Sequence, residues 1–164
     1  MTPSLQPPPV ALLDPYTGDE VLPLYTTSVS VTGGEAGHGR ASGHAVSEDG
    51  DLDVALRLPK GLGGPGGGTN PEQLFAAGYA ACFHGAWNLI AIKEGIETGP
   101  VEVKATVTFG RDPDDGRYLL TADLEVSAPE LERAQAEKLT REAELACPYA
   151  KMTRQGIAGS VRLI

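Results

Sequence analysis

The alternation of apolar and polar positions divides the chain into short extended runs and two helical ones. LYTTSVSV (residues 24–31) is rich in β-branched residues, GGEAGHG breaks it, and RASGHAVS (40–47) resumes the extended pattern. This predicts a hairpin with a glycine-rich connection. After a turn at Glu48, Asp49 and Gly50, DLDVALRL (51–58) alternates strictly, with Leu52, Val54, Leu56 and Leu58 on one face and Asp51, Asp53 and Arg57 on the other. That is the pattern of a half-buried third strand.

PKGLGGPGGGTN then reads as a flexible loop, and a phosphate-loop reading of its glycines fails because no Gly-Lys-Ser/Thr follows. At its end Asn70, Pro71 and Gln73 supply an amide N-cap, a proline at the first helical position and a glutamine at the third. A helix is predicted from there to about Lys93, with Gly95 past its end. Its body, LFAAGYAACFHGAWNLIAI, is apolar on nearly every side, which suits a helix enclosed by protein.

VEVKATVTF (101–109) and RYLLTADLEV (117–126) flank Gly110 and a DPDDG turn, giving a second antiparallel hairpin. Residues from Pro129 to about Ala146 are charged and amphipathic, with Leu131, Ala134, Leu139, Ala143 and Ala146 as the expected inner stripe. Cys147 is followed at once by Pro148, which disfavours helical backbone before it, so the cysteine is expected at or just past the helix end. IAGSVRLI (157–164) reads as a last strand. The order βββ-α-ββ-α-β argues an α+β fold of antiparallel sheets around a buried central helix, rather than a parallel doubly wound sheet.

Composition narrows the partners. The 164 residues carry 22 acidic against 13 basic side chains, a formal charge of −9, so a phosphate-tracking surface is not expected and nucleic acid is an improbable partner. Residues 1–23 hold six of the thirteen prolines and no period, and are expected to be a loosely packed tail ahead of a domain over 24–164. This N-terminal stretch lacks a basic region and a long apolar run, which argues against a signal core or membrane span there. Two cysteines, 65 positions apart, are too few for a stapled secreted scaffold and suit a reducing, cytoplasmic setting.

Taken alone, Cys82 and Cys147 in alanine-rich surroundings are ordinary buried small hydrophobes. His38, His44 and His84 lack a recognisable metal spacing, so no metal is expected. Phe75, Tyr79, Phe83 and Trp87 lie at helical spacing around Cys82, where core packing is the first reading. An apolar wall for an alkyl substrate, from Phe75, Tyr79 and Phe83, is the second.

The segment GTNPEQLFAAGYAACF (68–83), with ACPYAKMTR (146–154) and the upstream TGG…GRASG, resembles the Ohr branch of the OsmC/Ohr family of organic hydroperoxide resistance proteins. The likeness covers residues 24–164 in the family's element order. It implies an intertwined homodimer that reduces alkyl or fatty-acid hydroperoxides, with no bound cofactor, and that is recycled by a lipoylated protein or dihydrolipoamide. On this resemblance Cys82 matches the peroxidatic cysteine, Cys147 the resolving one and Glu72 the active-site glutamate. The family's arginine commonly follows the Thr-Gly-Gly, where this chain has Glu35. Arg40, in Gly39-Arg40-Ala41-Ser42-Gly43, is the position chosen for it, with Arg57 and Arg154 as substitutes. Tyr149 belongs to the family pattern without an assigned role. An OsmC-branch peroxidase of different substrate breadth and a redox-sensing dimer without turnover are the rival readings.

The implied roles suit the chemistry. A thiolate attacks the peroxide, so the thiol needs a nearby cation. Arginine stays charged and offers a fork of donors that a carboxylate such as Glu72 holds in place. On one unbroken helix, ten residues place Glu72 and Cys82 about 15 Å apart along the axis and about 280° around it. Either a break near Gly78 or in the first turn brings them together, or Glu72 serves the Cys82 of the partner subunit, which is the expectation adopted.

Overall fold

The computed structural model describes residues 9–34 and 42–164. They condense as two compact units. The first unit takes in residues 77–106 and 122–164 with the described residues up to Tyr16, and the second takes in residues 17–76, where described, and 107–121.

The second unit is built on a three-stranded antiparallel sheet in the order β1 (Val29–Thr32), β2 (Gly43–Ser47) and β3 (Asp53–Leu56). β1 pairs with β2 from Val29 opposite Ser47 to Thr32 opposite His44. It is shorter than the expected run from Leu24, whose first five residues are exposed and carry no regular structure. At Gly43, with φ of 117°, an added Cβ would lie 2.6 Å from the Thr32 carbonyl oxygen, so this cross-strand approach requires glycine. The β2–β3 turn is held by side chains. Ser47 Oγ donates to Asp49 Oδ1 at 2.5 Å and accepts from the Leu52 amide at 2.9 Å. The predicted faces of the third strand hold: Leu56 is buried and Leu52, Val54 and Leu58 half-buried, whereas Asp51, Asp53 and Arg57 are exposed.

The glycine-rich stretch after β3 is more ordered than a flexible loop. A 3-10 turn occupies Lys60–Leu62, the Gly66 amide donates to the Leu58 carbonyl at 3.1 Å, and Thr69 bridges to Leu56. Gly68 admits this fold-back, because a Cβ there would lie 2.7 Å from the Ala55 carbonyl oxygen.

Helix α1 runs unbroken over Pro71–Lys93, as its end signals predict. Asn70 Oδ1 accepts from the Gln73 amide at 2.9 Å, a side-chain cap at the start. At the other end Gly95 has φ of 67°, its amide donates to the Ile92 carbonyl and the Ile96 amide to the Ala91 carbonyl, forming a Schellman stop. By length and composition α1 is apolar enough to span a membrane. Its Tyr79, Phe83, Trp87, Leu89, Ile90 and Ala91 side chains are nevertheless buried in protein. The enclosure expected all round is partial, since Ala77, Ala81, His84, Gly85 and Ile92 are exposed.

Strands β4 (Glu102–Arg111) and β5 (Tyr118–Ser127) form the second hairpin. In its turn the Asp112 amide donates to the Arg117 carbonyl, and Asp112 and Asp115 carboxylates accept from the amides of Asp114 and Arg117. Helix α2 spans Arg133–Ala146, starting later than Pro129. Leu139 and Ala143 of the expected stripe are fully buried, but Ala134 and Ala146 are exposed. The inner face instead continues through Thr140 and Cys147.

Two corrections concern the C-terminal end. A third helix, α3 (Pro148–Gln155), follows at once, and the expected last strand is absent. Gly156, at φ of 76°, ends α3 with its amide on the Met152 carbonyl, and residues 157–164 have no regular structure. Val161, Leu163 and Ile164 are fully exposed. A strand needs a sheet edge to pair with, and among the described residues none is paired to this tail.

Candidate active site

The first unit brings Cys82 and Cys147 together. Cys82 sits on the middle of α1 and is half-buried; Cys147 is completely buried at the joint between α2 and α3. Both are free thiols, and the Cys147 thiol donates to Cys82 Sγ at 3.3 Å. Cys147 ends α2, where its amide donates to the Ala143 carbonyl at 2.8 Å, and also opens α3, where its carbonyl accepts from the Lys151 amide at 3.0 Å. Its backbone is extended, with φ of −72° and ψ of 118°. Pro148 explains both halves of this arrangement. It forbids the preceding residue from continuing the helix, and it is itself favoured at the first position of the next one. The second half of that signal is the one from which α3 was readable in the sequence.

Three contacts fix the joint against α1. The Tyr149 ring stacks on Tyr79, with centroids 6.0 Å apart, and Tyr79 Oη shares a hydrogen bond with Thr153 Oγ1 at 3.4 Å. Tyr149 also covers Gly78, one turn before Cys82, so closely that a Cβ there would lie 2.9 Å from the phenol oxygen. Further along α1, Trp87 Nε1 donates to Thr140 Oγ1 on α2 at 3.2 Å, and Trp87 and Leu139 are both fully buried. Lys138 spans both carboxylate oxygens of Glu94 at 2.6 and 2.7 Å. Sequence reasoning gave Tyr149 no role; here it is the residue that seats the joint.

The electrostatics of this pair oppose ionisation. Burial pushes the Cys82 thiol up to about 11 from its ordinary 9.0. A hydrogen bond from the Tyr149 backbone N–H works in the other direction, and the Cys147 thiol adds to the rise. A sulfur held in this way is a poor nucleophile until positive charge reaches it.

The remaining candidates are placed as follows. Arg40 lies outside the described residues, as do Glu35 and His38. Glu72 is half-buried in the first turn of α1. Because α1 is continuous from Pro71 to Lys93, the alternative of a helix break near Gly78 is removed. Of the substitute arginines, Arg57 Nη1 donates to the Leu56 carbonyl and Arg154 Nη1 to the Glu144 carbonyl and carboxylate. Tyr79 and Phe83, on the same helix as the thiol, are buried, and Phe75 is half-buried in the second unit. His44 pairs with Asp53, and His84 lies beside Asn88 on the exposed side of α1. Among the described residues no three His, Cys, Asp or Glu side chains converge as a metal site requires.

This geometry has known relatives. The sequence pattern of the family described as OsmC-like protein matches residues 64–162. An organic hydroperoxide resistance protein of Xanthomonas axonopodis pv. citri is 41% identical over 136 residues, which is 82% of this chain and 90% of that protein. A crystal structure of an organic hydroperoxide resistance protein from Legionella pneumophila superposes with a TM-score of 0.73 at 38% identity, covering 82% of this chain and 93% of that one. The OhrB structure of Bacillus subtilis superposes with a TM-score of 0.69 at 39% identity, covering 81% and 93%. The chain with the two facing thiols therefore belongs to the OsmC-like family, in its branch of organic hydroperoxide resistance proteins.

Proposed function

We propose that this protein is a thiol-dependent peroxidase that reduces organic hydroperoxides to alcohols. The observation that carries the proposal is the 3.3 Å approach of a half-buried thiol, Cys82, to a fully buried one, Cys147. The Cys82 thiolate attacks the hydroperoxide so that an S–O bond forms and the O–O bond breaks, and the leaving alkoxide takes a proton to become the alcohol. The resulting sulfenic acid would climb to irreversible oxides unless a second thiol condenses with it. Cys147 then displaces water and closes the disulfide. A lipoyl-type dithiol restores both thiols.

Arg40, clamped by Glu72, is proposed to supply the positive charge that no described residue brings to the half-buried Cys82, since a guanidinium both favours the thiolate and offsets charge on the leaving oxygen. Phe75, Tyr79 and Phe83 are proposed to give the enzyme its preference for alkyl chains. A homodimer is part of the reading. The exposed Leu145, Val161, Leu163 and Ile164 of one chain offer apolar side chains for a second copy to cover. The cytoplasm, with reducing conditions and lipoyl dithiols, is the proposed setting.

Mass spectrometry after one equivalent of an organic hydroperoxide tests the reading. The wild type is expected to lose two hydrogens as a Cys82–Cys147 disulfide and to turn over repeatedly with dihydrolipoamide. Cys147→Ser is expected to undergo one oxidation and stop as sulfenic or higher acid, whereas Cys82→Ser stays unreacted. Repeated turnover by Cys82→Ser would sink the proposal. A disulfide that forms but is not recycled by the dithiol would favour a redox-sensing dimer instead.

A further inference from the structure

Once the disulfide exists, its two sulfurs are not equivalent targets. Cys147 has no exposed surface, and the residues one turn to either side of it, Ala143 and Ala150, are at most 1% exposed. This burial is complete within the single chain, so a second subunit can only add to it. Cys82 is half-buried on α1, and Ala81 and Gly85 beside it are exposed. Thiol–disulfide exchange requires the attacking sulfur to come within bonding distance of one disulfide sulfur, and its rate depends on which sulfur is reachable.

We infer that the reducing dithiol attacks Cys82 Sγ, so that the enzyme–reductant mixed disulfide forms on Cys82 and Cys147 is the leaving thiol. This deepens the peroxidase reading and rests on it. In the first step the ionised sulfur of the dithiol bonds to Cys82 Sγ, the Cys82–Cys147 bond breaks, and the proton given up by the dithiol ends on Cys147. In the second step the remaining thiol of the reductant attacks its own sulfur in the mixed disulfide. The reductant leaves as a cyclic disulfide and Cys82 regains its thiol. Two electrons pass from the dithiol to the protein, and no other oxidant or reductant is needed. Cys147 returns to its buried reduced state without meeting the reductant.

The test installs the Cys82–Cys147 disulfide with diamide, which requires no peroxidase activity. The oxidised protein is then treated with 8-mercaptooctanamide, a monothiol analogue that cannot complete the second step. Acid quenching, blocking of the freed thiol with a maleimide and peptide mass spectrometry locate both groups. The monothiol is expected on Cys82 and the maleimide on Cys147, in at least tenfold excess over the reverse pattern. The reverse pattern, a comparable mixture, or a disulfide that the monothiol leaves intact overturns the inference. Failure of the peroxidase reading looks different, because then the reduced protein is not oxidised by hydroperoxide at all.

Discussion

Among the described residues, burial pushes the Cys82 thiol up to about 11, two decades above its ordinary 9.0, while peroxide is attacked by the thiolate alone. At neutral pH the two values differ by about a hundredfold in ionised fraction. The sign is that raising the pH increases reactivity until the folded-state pKa is passed. Arg40→Ala should therefore leave Cys82 alkylation by iodoacetamide rising towards pH 11, whereas the wild type should level off well below that. The same midpoint in both proteins would move the role to another arginine. At this scale the sequence was legible where a residue carries its own chemistry, as the two cysteines do. It was not legible for the raised pKa, because that depends on what α2 and α3 pack over the thiol. Tyr149 escaped for a similar reason, since its partners Tyr79 and Gly78 lie some 70 positions away.

Among the elements, α1 was readable to the residue. Its boundaries rest on local groups, the Asn70 amide, the Pro71 ring and the left-handed Gly95. The α2–α3 joint was half readable, because Pro148 acts as both a stop and a start signal. The last strand was misread, since β-branched alternation in IAGSVRLI describes a capacity to pair and no partner strand is at hand. The Tyr149 contact on Gly78 makes a prediction for the joint. Gly78→Ala forces the phenol ring outward by several tenths of an ångström. The Cys82 sulfenic acid should then persist longer before the disulfide closes, measured by dimedone trapping after a hydroperoxide pulse. Peroxide consumption in the first turnover should be little changed. An unaltered trapping yield would show that the ring does not hold the two sulfurs together.

For the whole molecule, the continuity of α1 sharpens the question of how Glu72 reaches a thiol. Ten residues of unbroken helix separate Glu72 from Cys82, about 15 Å of axial rise. A carboxylate supplied by the partner subunit predicts complementation. Mixing Cys82→Ser with Glu72→Gln should generate heterodimers in which one site combines an intact Cys82 with Glu72 of the partner subunit. Peroxidase activity should then recover to roughly a quarter of the wild-type value at random exchange, although each variant alone is inactive or slow. No recovery would place Glu72 with the thiol of its own chain.

Since Cys147 caps two helices at once, it is anchored by backbone hydrogen bonds on both sides, while its thiol takes no part in the capping and points to Cys82. Its sulfur is 3.3 Å from Cys82, and a disulfide needs about 2.05 Å, a gap that side-chain rotation covers without unwinding α2 or α3. Rotations of that kind are far faster than local unfolding. The interval in which a sulfenic acid can meet a second oxidant molecule is correspondingly short. Resistance to inactivation at high dose should follow: the wild type should keep turning over through an excess of hydroperoxide that drives Cys147→Ser to sulfinic acid.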